Sequence, residues 1–209
     1  MAKPFLTIIA VSYSGHSIHQ LRNFISGLYC QTDPNWKCKI YYDVTDEYGD
    51  LYNSLEPLGV DSYYDGSQYR TDDSRIEFIS VYPAKGDYGN HNRLEGLNSC
   101  DTEWITHTNI DNQYFPVFVD TVRKHLSNEI DCLLYPIVHN YARGFYEVLD
   151  PTPCVDGADY MSFVMRTSLA KEIGFNNPTW SGQDGQILQE ATAKGCRYGK
   201  INAILGVHN

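Results

Sequence analysis

The segment THTNIDNQYFP sets Asn109, Asp111 and Asn112 at the end of an apolar-aromatic run, just before a turn and a helical pattern. Carboxylate and amide oxygens there suit a hard divalent cation that holds a phosphate-bearing ligand. The same residue types also favour an Asx-turn followed by a helix N-cap, so the spacing alone leaves both readings open. Other polar residues close apolar runs in the same manner: Ser12 and Tyr13 after Leu6 to Val11, Asp43 after KCKIYY, and His208 after INAILGV. Ligands of open α/β sheets bind beyond the carboxyl ends of the strands, where such residues gather. Towards the C-terminus, SGQDGQI offers Asp184 as a helix cap, and Trp180 before it either stacks on a ligand ring or fills core.

The elements that must position these residues alternate. Leu6 to Val11 is continuous and rich in β-branched residues, as a strand covered on both faces is. Apolar residues at Ile18, Leu21, Ile25, Leu28 and Tyr29 have helical spacing, and Asp33-Pro34 punctuates the following turn. Lys37 to Tyr42 reads as a second strand and Ile76 to Val81 as a third. Helical spacing returns after Gly89, and TEWITHTNID reads as a strand ending on Asp111. Phe115 to Leu126 is expected to be helical, with Pro116 in its first turn. CLLYPIV and SFVMR read as strands, TSLAKEIG as a helix closed by Gly174, and Asp184 to Ala193 as a last helix before INAILGVHN. This alternation predicts one α/β domain with a mixed, mostly parallel central sheet and helices on both faces.

A chain of 209 residues suits a single domain able to bury roughly 70 % of its unfolded surface. The net charge of −10, from 16 basic and 26 acidic residues, opposes a broad nucleic-acid or anionic-membrane surface. Without an apolar run of about 18 residues, no membrane-spanning helix is expected. The N-terminal apolar run reads as a buried strand rather than a signal peptide. Six cysteines without a CxxC pair read as reduced core residues, which implies a cytoplasmic protein.

Five phrases, in order, make the chain resemble family 2 glycosyltransferases of the GT-A fold. They are TIIAVSYSG, LYCQTDPNWKCKIYYD, GDYGNHNRLEGLNSC, TEWITHTNID and GFNNPTWSGQD, within a resemblance that runs from about residue 5 to 208. It implies transfer of a sugar from a nucleotide-diphosphate sugar, a UDP-sugar foremost, to a carbohydrate or other hydroxyl acceptor, with inversion. Residues 1–112 would form the nucleotide-sugar-binding half and 113–209 the acceptor-binding half. Tyr13 and Asp43 would line the nucleobase pocket, Ser12 would be a further nucleotide-sugar contact, and Arg93, assisted by Lys85, would face the diphosphate. Asp111, with Asn109 or Asn112 beside it, would bind a divalent metal, Mn²⁺ or Mg²⁺, with His208 as a further ligand that favours manganese. Asp184 would be the general base and Trp180 an acceptor contact. Asn109 departs from the family's acid-x-acid metal motif and removes one negative charge. The other six histidines read as solvated side chains.

Two rivals remain. A nucleotidyltransferase would need a Gly-rich, cationic loop after the first strand, where SYSGHS has one Gly and no Lys or Arg. A non-catalytic nucleotide-sugar or glycan-binding module draws its support from Asn109. No P-loop or nucleophile elbow occurs.

Overall fold

The computed structural model describes residues 3–12, 16–43, 63–64, 69–70, 73–81, 89–142, 144–174 and 182–209. At its centre β1 (Leu6–Ser12) is buried along its whole length. Its side chains alternate between two cores: Leu6, Ile8 and Ala10 enter one, Ile9 and Val11 the other. That explains the unbroken apolar run, because a strand covered on both faces has no polar side. Strands β2 (Trp36–Asp43) and β6 (Trp104–Asn109) flank it in parallel, with Leu6 opposite Trp36 on one side and Trp104 on the other.

Six more strands extend this sheet: β3 (Tyr63–Tyr64), β4 (Tyr69–Arg70), β5 (Ile76–Val81), β8 (Cys132–Leu134), β11 (Phe163–Arg166) and β12 (Tyr198–Lys200). The order is β12-β8-β11-β6-β1-β2-β5-β4-β3, with β11 antiparallel to both β6 and β8. Helices α1 (Ile18–Tyr29) and α3 (Phe118–His125) bury Leu21, Phe24, Ile25, Phe118 and Val122 in the first core. Helices α2 (Asn90–Asn98), α4 (Thr167–Ile173) and α5 (Gln183–Ala193) bury Leu97, Ile173, Ile187 and Leu188 in the second. The sheet is therefore mixed and carries helices on both faces, as the alternation of periods predicts.

A second sheet departs from the sequence reading. CLLYPIV is not one strand: β8 ends at Leu134, and β9 (Ile137–Ala142) begins after Pro136 in a separate four-stranded sheet. Proline cannot donate to a ladder, so the run breaks there. The sheet is ordered β10-β9-β13-β7, from β10 (Phe145–Leu149), β13 (Gly206–His208) and β7 (Gln113–Tyr114). A Cβ at Gly206 would lie 2.5 Å from Met161 Cε and 2.8 Å from the Gln113 carbonyl oxygen, so glycine lets β13 slide in against β7. Helix α3 starts at Phe118 rather than Phe115, because the Phe118 amide first closes a turn onto the Phe115 carbonyl at 2.9 Å.

All six cysteines carry free thiols, but only Cys38, Cys100 and Cys132 are buried, whereas Cys30 and Cys154 are exposed. The expectation of core cysteines thus holds for half of them. Among the described residues no helix is long and apolar enough to cross a membrane.

Candidate functional site

The carboxyl ends of β1 and β6 lie side by side, with Val11 paired to Asn109. Ser12 closes β1 and is buried. Asp43 closes β2 opposite Val81, but its side chain lies outside the described residues, as do Tyr13, Lys85 and Trp180. Helix α2 brings Arg93 to the end of β6. It starts from Gly89 at φ 75°, and a Cβ there would sit 2.8 Å from Val11 Cγ2. Only 2 % of Arg93 is exposed. Its Nη2 donates to the Asn109 amide oxygen, and its guanidinium lies 4.4 Å from the centre of the Tyr160 ring. Tyr160 in turn donates to Asn90 Oδ1 at 3.1 Å. Asn109 therefore presents its oxygen to a buried cation.

The chain turns after Asn109, and Asp111 projects one oxygen, Oδ2, to within 3.3 Å of His16 Nε2. The other oxygen, Oδ1, is buried and accepts no hydrogen bond among the described residues. The tail is tied to this turn: Asn209 Nδ2 donates to the Asp111 carbonyl at 2.8 Å, and the Asn209 amide donates to Asn112 Oδ1 at 3.3 Å. His208 is thereby held near the metal-motif turn.

Parallel pairing of β13 with β9 sets His208 opposite His139, and their rings stack at 4.2 Å with 5° between planes. Facing them is Asp159, which caps a short 3-10 helix (Tyr160–Ser162) through a capping box with Ser162. Asp159 Oδ1 accepts from the Met161 amide at 2.8 Å. Its Oδ2 lies 3.4 Å from His208 Nε2 and 3.9 Å from His139 Nε2. Burial and the neighbouring His208 hold the His139 imidazole below its ordinary pKa, against the pull of Asp159.

Asp184 sits in the first turn of α5, whose N-cap is Gly182 and makes no side-chain capping bond. Its Oδ1 accepts from the adjacent Gly185 amide at 2.8 Å. Desolvation, reinforced by the charge of Asp159, pushes the carboxyl up to about 7 despite the Gly185 N–H and Arg93. Environments that move a carboxyl this far mark functional sites more often than surface ones. Asp184, Asp159 and Arg93 thus share one electrostatic field, which also reaches the two stacked histidines.

Arg93, Asn109, Asp111, Asp184 and His208 are candidates legible in the sequence; Asp159, Tyr160, His16 and His139 are not. The expectation that the other six histidines are solvated fails for three of them. His107 is buried in β6, where desolvation and Arg93 drive its pKa down to about 3. The His16 and His139 side chains, 5 % and 18 % exposed, each face an aspartate. The Asp-x-x-Ser pattern at 159–162 carried a capping signal that could have located Asp159. His139 had no local signal, because it enters the site through strand pairing.

No protein-family model and no curated protein sequence matches the chain. Solved structures do. S. aureus TarS 1-349 aligns with a TM-score of 0.71 at 13 % identity, over 98 % of this chain and 60 % of the other. Its complex with UDP-GlcNAc aligns with a TM-score of 0.71 at 14 % identity, over 97 % and 57 %. The mannosyltransferase PcManGT from Pyrobaculum calidifontis, in complex with GDP-Man and Mn²⁺, aligns with a TM-score of 0.72 at 13 % identity, over 99 % and 57 %. This chain thus spans under two thirds of the length of these neighbours. Its described architecture is a GT-A-like glycosyltransferase fold.

Proposed function

We propose that the protein transfers a sugar from a nucleotide-diphosphate sugar to an acceptor hydroxyl, with inversion at the anomeric carbon. The observation that carries this reading is Asp184, a part-buried carboxyl raised to about 7 in the field of Asp159 and Arg93, in a chain with a GT-A-like fold. The acceptor oxygen attacks the anomeric carbon as the bond from that carbon to the diphosphate oxygen breaks. The diphosphate leaves with the bonding electrons, and the acceptor proton passes to Asp184. A base whose pKa lies near the working pH combines a sizeable ionised fraction with a useful drive for proton transfer.

Ser12, Tyr13 and Asp43 are the proposed nucleobase contacts, Arg93 and Asn109 the diphosphate side, and Trp180 the acceptor contact. UDP-GlcNAc and GDP-Man, bound by the structural neighbours, are the first donors to try. Asp111 and His208 are the proposed metal ligands. The buried Asp111 Oδ1, unbonded among the described residues, fits a cation there. A bound divalent ion supplies positive charge against the leaving diphosphate. Arg93 is already buried and anchored, so its cation is organised before donor arrives.

A binding module without turnover is favoured by one observation, the Asn109 amide engaged by Arg93 in place of an acid. Asp184→Asn separates the two readings. A base acts in the transition state, so the variant should lose about 10²–10⁴-fold in kcat while its donor Kd barely moves. Wild-type protein that binds donor but shows neither transfer nor hydrolysis would establish the module instead.

A further inference from the structure

Asp159 holds one oxygen in a cap and presents the other to two imidazoles at once. Its Oδ1 is engaged by the Met161 amide at 2.8 Å, which fixes the carboxylate plane. Its Oδ2 faces His208 Nε2 at 3.4 Å and His139 Nε2 at 3.9 Å. The first distance is long for a hydrogen bond and the second is too long. The two rings are parallel at 4.2 Å, so protonating both would stack two like charges. Their Nδ1 atoms are buried and make no hydrogen bond among the described residues. A hydrogen-bonded network does not account for three polar groups arranged in this way.

We propose that His139, Asp159 and His208 together bind one divalent transition-metal ion. One candidate ligand atom from each lies within 4.8 Å of the others. Ligand atoms about 2.1 Å from a tetrahedral ion are about 3.4 Å apart, so closing the site requires only small side-chain shifts. The backbone is already set: β9 and β13 hold the two histidines in register, and the cap holds the aspartate. Two imidazoles and one carboxylate favour Zn²⁺ or Mn²⁺ over Mg²⁺, which takes oxygen ligands and keeps its water. Three protein ligands leave positions open for water or a ligand oxygen. The inference rests on the transferase reading but moves His208 from the Asp111 cation to a site shared with His139 and Asp159; its test uses neither donor nor turnover, so each can fail alone.

The full chain, stripped with chelator and free of nucleotide, is titrated with MnCl₂, ZnCl₂ and MgCl₂ by calorimetry. Histidine ring protons are followed by NMR during the Mn²⁺ titration. One saturable site for Mn²⁺ and Zn²⁺ is expected, with Mg²⁺ roughly tenfold weaker or more. Mn²⁺ should broaden the signals of His139 and His208 before that of His125, which is exposed on α3. His139→Ala and Asp159→Asn should each weaken Mn²⁺ binding by at least about tenfold, a loss that even indirect partners of a metal produce. His125→Ala should match wild type. Asp159→Asn keeps an oxygen for the cap, so it decides the matter if His139→Ala does not fold. Absence of a saturable site without nucleotide, or wild-type Mn²⁺ affinity in folded Asp159→Asn, overturns the proposal.

Discussion

The two sheets of this molecule supply candidate site residues by different routes. The large sheet delivers Ser12, Asn109 and, through α2, Arg93 from the ends of strands covered on both faces. The small sheet delivers His139 and His208 from two strands, β9 and β13, that are remote from each other in the chain, and its edge strand β10 is mostly exposed. In the first region local pattern and tertiary position coincide. In the second the chemistry is assembled by register, to which a one-dimensional pattern is blind.

This contrast can be broken by stability measurements. Ile8→Ala, in the centre of β1, should cost about 2–5 kcal/mol, because a fully buried side chain leaves a cavity between two packed layers. Val148→Ala on β10, where 56 % of the side chain's residue is exposed, should change stability by no more than about 0.5 kcal/mol. Chemical denaturation of both variants checks this, and equal costs would erase the distinction between the regions.

A smaller effect is expected at a strand end. Asp43→Ala should weaken nucleotide binding by about 1–3 kcal/mol if the residue accepts from the base, with folding nearly intact. Calorimetry with UDP and GDP reads it, and normal affinity for both returns Asp43 to an ordinary strand-end residue.

Much of the large sheet is legible in the sequence. Helix α1 spans Ile18–Tyr29 as the spacing of its apolar residues predicts, and the structure adds a reciprocal cap between Ser17 and Gln20. Strand β5 spans Ile76–Val81, again as predicted, from a stretch rich in β-branched and aromatic residues that Pro83 follows. Asp111 and Asp184 are picked out as candidates by phrase and order, and the structure adds what order cannot: a desolvated carboxyl at Asp184 and, among the described residues, a buried Asp111 oxygen that accepts no hydrogen bond. The small sheet resists such reading. CLLYPIV looks like one strand because its apolar character is unbroken, and only Pro136 marks the passage from one sheet to the other. Phe145–Leu149 lies on an exposed edge with four of its five residues exposed, so no buried face imposes a period. His139 and His208 meet only because β9 pairs with β13, and Asp159 faces both from the cap of the 3-10 helix.

A last stability effect concerns Asp184 and folding. Its folded-state pKa, about 7, lies above the ordinary carboxylate value, so the folded chain holds this proton more tightly than the unfolded chain. Stability from this group is complete below the ordinary value of 3.8 and is lost as pH rises towards 7. Asp184→Asn should therefore melt at or above the wild-type temperature at pH 8, with the gap closing towards pH 4. A lower melting temperature at pH 8 would make Asp184 a stabilising carboxylate rather than a strained one.

The pH dependence of kcat/KM with UDP-GlcNAc or GDP-Man, whichever is turned over, tests the central claim most directly. If Asp184 is the base, the wild-type rate rises with pH through an ionisation near 7, and the residual rate of Asp184→Asn lacks that step. A wild-type profile flat across that range, with near-normal turnover in Asp184→Asn, would contradict the account.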